Sequence, residues 1–174
     1  AVKPAAEQTK TGVVGVLATY AFFQAEVYGS LVERFAHGVK LLQDPCIGLV
    51  GQIEKGDLNG PDTRALLEKV LKPMLAQHID TVVLGCTHYP FVIPLIQQIV
   101  GPDVRVIDPA PAVARHIAHR LEEFGWLAEG QEKIPVTFYT TGEPQQMQKL
   151  LLPFIGEEGT VRKATWIGNR LSAL

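Results

Sequence analysis

The chain has 174 residues, enough for one domain or two small lobes around a real hydrophobic core. Apolar residues make up 47% and charged residues 20%, and a net charge of −2 without any Lys/Arg cluster offers no surface for nucleic acid or an anionic membrane. Apolar runs are interrupted within about ten residues, too short to span a bilayer, and no secretory signal is read. The two cysteines, Cys46 and Cys86, form neither a dense disulfide framework nor a CxxC zinc pair, which fits a reducing cytoplasm.

In chain order, the first strand is expected at Val13–Thr19, followed by a helix over 25–37 carrying Val27, Leu31 and Phe35 on one stripe. A second strand falls at Val39–Gln43, and a long helix over 62–77 aligns Leu66, Leu67, Val70, Leu71, Met74 and Leu75. Thr81–Cys86 reads as the third strand. Pro94 opens a helix to Val100 that Gly101 closes. Val104–Asp108 is the fourth strand, and Pro111 opens a helix to Phe124 with Gly125 at C′. The strands are almost continuously apolar, as strands covered on both faces are. Strand–helix alternation of this kind predicts an α/β fold with a doubly wound parallel sheet. The segment 126–135, WLAEGQEKIP, reads as a connector to a further strand, Val136–Thr141, a helix from about Pro144 to Phe154, and a short apolar run at Ala164–Ile167. That tail has too few elements for a core of its own and is expected to pack on something else. There are no internal repeats and no low-complexity segments.

Open parallel sheets bind ligands at the carboxyl ends of their strands. Those ends here are Ala18-Thr19, Asp44-Pro45-Cys46, Gly85-Cys86-Thr87-His88 and Asp108-Pro109. Cys86 stands out. Gly85 before it permits a close approach, and if the strand continues extended, alternation turns Cys86 and His88 to the same side. An imidazole beside a thiol favours the thiolate, which acts as base or nucleophile. The competing reading is a buried structural cysteine with ordinary neighbours, and His88 by itself reads as a structural histidine. Cys46 in a DPC turn reads as packing, Asp108 as a turn or helix cap, and Glu54 as a solvated carboxylate near a helix end. His116 and His119 lie three apart on a helix without a third metal ligand. No P-loop, GxGxxG fingerprint or serine nucleophile elbow is present.

The stretches GVVGVLAT, SLVERFA, TVVLGCTHYPF, VRVIDPAPAVARH and FYTTGEP, in this order over essentially the whole chain, resemble the C-terminal part of glutamate racemase, in the aspartate/glutamate racemase superfamily. The resemblance implies a parallel-sheet, Rossmann-like lobe of a two-lobed α/β fold with the active site between the lobes. It implies interconversion of L- and D-glutamate for peptidoglycan synthesis in the cytoplasm, with no cofactor and no metal. Two cysteines, one per lobe, would act on opposite faces of the substrate Cα.

By position, the resemblance implies that Cys86 is the second-lobe catalytic cysteine, serving the L-glutamate face, and that His88 assists it. It implies that Thr87 and Glu54 contact substrate. The chain departs from the family at Tyr20-Ala21-Phe22, where A-T-R-G-T is usual, so no role is carried to that loop. The D-S-G-x-G-G turn and the N-T motif of the first lobe are absent, and Cys46 is not the partner cysteine. The expectation is therefore a racemase lacking the start of its first lobe. Residues 1–112 would form the second lobe and 113–174 a segment returning to the first. The isolated chain would be inactive, although homodimers are common in the family. Three alternatives stand beside it: a related aspartate or hydantoin racemase, a non-catalytic truncated lobe that binds an amino acid, and a zinc site using Cys46, Cys86 and His88.

Overall fold

A computed structural model describes residues 2–128, 135–156 and 159–173. It divides the chain into two compact units, Ala1–Trp126 and Leu127–Leu174. The first contains α1 (Val2–Gln8), β1 (Val13–Ala18), α2 (Tyr20–Phe23), α3 (Glu26–Phe35), β2 (Lys40–Asp44), α4 (Leu49–Glu54), α5 (Pro61–Leu75), β3 (Thr81–Gly85), a 3-10 turn (Tyr89–Val92), α6 (Ile93–Val100), β4 (Arg105–Ile107) and α7 (Ala110–Glu123).

The four strands lie in the order β2-β1-β3-β4, all parallel, with β1 central: Leu17 pairs with Asp44 on one side and Leu84 on the other. Val14, Val16, Leu17, Val82, Val83 and Leu84 are almost wholly buried, the pattern expected of strands covered on both faces. Val14, Val16 and Val83 form one cluster with Val2 and Ala5 of α1 and Tyr28 of α3. On the opposite face, a side chain at Gly15 would come within 3.0 Å of the Met74 sulfur of α5, so that helix lies close over the strand.

The amphipathic stripe of α3 differs from the expected one. Val27 is exposed, whereas Tyr28 is buried and Val32 packs against the same cluster. Phe22 and Phe23 draw the Tyr28 ring inward, with ring centres 5.1 and 5.4 Å away. Several elements are shorter than read: β1 stops at Ala18, β3 at Gly85, and β4 spans only Arg105–Ile107. The helix opened by Pro111 ends as expected. Gly125 has φ +66°, its N–H donates to the Glu122 carbonyl (3.0 Å), and the Trp126 N–H donates to that of Leu121 (2.8 Å). That pair of bonds is a Schellman ending.

In the second unit, β5 (Thr137–Thr140) pairs in parallel with β6 (Thr160–Ile167), which pairs antiparallel with β7 (Arg170–Ala173). The helix α8 (Pro144–Ile155) packs on β6 and β5, burying Leu151, while Ala164 is the buried residue of β6. The expected run Ala164–Ile167 is thus the end of a longer strand. Much of the expected connector, 129–134, lies outside the described residues. Among the described residues, no helix is long and apolar enough to cross a membrane.

Candidate active site

The candidate residues converge at the carboxyl edge of the first unit's sheet. Cys86 follows the last residue of β3 and is half-buried, Thr87 is exposed, and His88 is half-buried. The Cys86 sulfur lies 3.9 Å from Nδ1 of His88, and Nε2 of His88 lies 3.2 Å from Oε1 of Glu54. Glu54 is the last residue of α4 and its carboxylate is exposed. Thiol, imidazole and carboxylate therefore form a line drawn from two segments 34 residues apart in sequence.

This line is made by a turn and not by strand alternation. After Gly85 the chain leaves the sheet, His88 adopts helical angles (φ −82°, ψ −34°), and the Tyr89 N–H donates to the Cys86 carbonyl at 3.3 Å. Folding the chain back within three residues brings the imidazole over the thiol, where continued extended geometry would have carried it past. The close approach at Gly85 belongs to the protein itself: a side chain there would meet the Ala18 methyl at 2.8 Å and the Phe22 ring at 3.0 Å.

With Nε2–H donating to Glu54, the other ring nitrogen of His88 is free to accept the thiol proton. Once protonated, both ring nitrogens donate, one to Cys86 and one to Glu54. The carboxylate contact orients the imidazole, with one ring nitrogen toward Glu54 and the other toward the thiol. Proton movement between Cys86 and a bound acid is the chemistry this arrangement supports best.

Cys46 has a different environment. It is 2% exposed, has φ +45°, and its N–H donates to the Asp44 carboxylate at 2.8 Å. Burial first, then the Asp44 charge and hydrogen bond, push its thiol well above the ordinary range, so it stays protonated. The packing reading of Cys46 agrees with this. Asp108 likewise serves a turn, accepting from the Ala110 N–H at 2.9 Å. His119 pairs with Glu123 on exposed α7 at 3.5 Å. Among the described residues, no group of three or more His, Cys, Asp and Glu side chains gathers to hold a metal ion. Cys46, Cys86 and His88 do not form such a group.

Cys86 and Thr87 border a cavity of about 720 Å³, with Asp108 near them and Val2, Val16, Phe22, Val83 and Ile117 among its apolar walls. Periodicity did not mark α1, which lends Val2 to this wall, whereas Glu54 falls at a helix end as expected, the last residue of α4. Tyr89 carries no motif of its own that marks it as a site residue. Its ring is wholly buried and its hydroxyl donates to the Pro45 carbonyl at 3.1 Å. Its place directly after His88 was the one available sign.

The first unit is thus a parallel α/β lobe with a half-buried thiol, an imidazole and a carboxylate brought together at its carboxyl edge, a candidate acid–base site. A family model described as Asp/Glu/Hydantoin racemase matches residues 1–117, and the chain belongs to that family. It is 48% identical over 161 residues to the glutamate racemase of Stutzerimonas stutzeri (strain A1501), covering 92% of this chain and 60% of that protein. The crystal structure of a glutamate racemase isoform from Bacillus anthracis is similar with a TM-score of 0.81 and 26% identity, over 94% of this chain and 61% of that one. The Escherichia coli glutamate racemase, solved with L-glutamate and the activator UDP-MurNAc-ala, is similar with a TM-score of 0.79 and 26% identity, over 100% of this chain and 63% of that one. The chain thus spans about 60% of the length of the curated relatives it matches.

Proposed function

We propose that this chain carries one half of a glutamate racemase active site, with Cys86 as the acid–base group on one face of the substrate. The carrying observation is the Cys86–His88–Glu54 line in a chain of this family. The Cys86 thiolate takes the α-proton of L-glutamate, and a thiol on the opposite face gives a proton to the planar carbanion, yielding D-glutamate. One proton is gained and one lost at Cα, so no oxidant, metal or cofactor enters the balance. His88 assists the thiolate, Glu54 holds His88 and stands at the substrate site, and Thr87 contacts substrate through its hydroxyl or backbone.

The opposite-face thiol is not Cys46, which is buried in the turn before α4 within this same lobe. On this reading residues 1–112 belong to the second lobe of the racemase and 113–174 to a segment returning to the first. The chain by itself does not racemise glutamate. In the completed enzyme, which can be a homodimer, the reaction supplies D-glutamate for peptidoglycan in the cytoplasm. Polarimetric or circular-dichroism assay of L-glutamate incubated with the 174-residue chain is expected to show no loss of optical signal, and ordinary turnover would overturn the two-thiol reading. A substrate panel on the completed enzyme separates glutamate from aspartate and hydantoins.

A further inference from the structure

The His88–Glu54 contact depends on the placement of two separate segments, the turn after β3 and the turn that starts α4. A buried side chain bridges them. The Tyr89 ring is 0% exposed, and its hydroxyl donates to the Pro45 carbonyl at 3.1 Å, across 44 residues of sequence. Each end of this bridge is itself fixed. On one side the Tyr89 N–H donates to the Cys86 carbonyl, closing the turn that holds Cys86, Thr87 and His88. On the other, the Cys46 N–H donates to Asp44 and the Leu49 N–H to the Cys46 carbonyl, which launches α4 toward Glu54. The 3-10 turn that begins at Tyr89 also packs directly on α4.

The geometry points to Tyr89 as a positioning residue: its hydroxyl pins the β2–α4 turn to the β3 turn and so keeps Glu54 in line with His88 and Cys86. The inference rests on the reading of Cys86, His88 and Glu54 as a working line. Burial, with the nearby Cys46, Cys86 and Asp44 acids adding to it, holds the phenol above its ordinary range. The hydroxyl therefore remains a donor through the neutral and mildly alkaline range. Losing it leaves a carbonyl of the β2–α4 turn without its donor and frees that turn to shift relative to His88. A shift of about 1 Å is enough to break a hydrogen-bonded line.

The test uses the 174-residue chain and the rate of Cys86 alkylation by iodoacetamide at pH 7, followed by peptide mass spectrometry. Four proteins are compared: wild type, Tyr89→Phe, His88→Asn and the double variant. A residue acting through His88 is non-additive with it. Tyr89→Phe is expected to slow alkylation by about threefold or more in the wild-type background and to change it little in the His88→Asn background, one net hydrogen bond being worth roughly fivefold. Equal effects in both backgrounds, or no effect in wild type while His88→Asn still slows the reaction, would overturn the positioning role alone. A Tyr89→Phe chain that fails to fold by circular dichroism would overturn it too, since the hydroxyl would then serve the lobe as a whole. If His88→Asn leaves alkylation unchanged, the Cys86–His88 reading itself falls.

Discussion

At Cys46 the thiol is sealed under the β2–α4 turn beside the Asp44 carboxylate, whereas Cys86 stands half-buried at the cavity with His88 over it. Alkylation of the native protein should therefore modify Cys86 and leave Cys46 untouched until denaturant is added, as peptide mapping can read. Reversal of that order would contradict the site assignment. In the completed enzyme His88→Asn should lower turnover by about a hundredfold, the scale of acid–base assistance, with little change in melting temperature. An effect on stability alone would return His88 to a structural role. Cys86, Thr87 and His88 were legible in the sequence because they are adjacent and end an apolar strand. Glu54 was assigned only through resemblance, since its contact with His88 joins α4 to the β3 turn. The Tyr89–Pro45 bond was not legible, because nothing local to either residue specifies it.

At the scale of elements, the start of β3 is tied to the loop before β1 by Asp80. Its carboxylate accepts from the Thr9 hydroxyl (2.7 Å), the Thr11 N–H (2.9 Å), the Lys10 N–H and the Thr81 hydroxyl. Burial acts to raise its pKa, but these four donors outweigh it and hold the group below the ordinary carboxylate range. A depressed folded-state pKa stabilises the fold above the unfolded value, and that contribution is lost as pH falls below it toward the folded value.

Asp80→Asn should therefore cost about 1–2 kcal/mol at neutral pH, because an amide nitrogen cannot accept from Lys10 and Thr11. It should also flatten the acid limb of stability below about pH 4, where the unfolded carboxylate titrates. Denaturant melts from pH 2 to 7 check both. At the end of α7, Gly125→Ala should cost about 1 kcal/mol, since φ +66° is strained for any residue with a Cβ. The caps of α6 and α7 were readable because proline and glycine mark them directly. The β7 strand, Arg-Leu-Ser-Ala, has no apolar run and exists through pairing with β6, so composition could not reveal it.

At the scale of the molecule, alternating apolar strands and amphipathic helices carried the parallel sheet into view. Strand order required the structure, because β1 pairs with both β2 and β3 while sequence distance alone is silent on which strand is central. Every residue of the proposed line lies within Ala1–Trp126. A fragment ending at Trp126 should keep the Cys86-selective alkylation of the whole chain, and loss of selectivity there would show that residues beyond 126 shape the site.

The central claim, that Cys86 moves the α-proton, is tested most directly with the enzyme completed to the length of its relatives, comparing wild type with Cys86→Ser in D2O. A serine hydroxyl is far too weak a base at neutral pH, so the variant should neither interconvert the enantiomers nor place deuterium at Cα of L-glutamate. Racemisation or α-deuteration of L-glutamate near the wild-type rate would contradict the account.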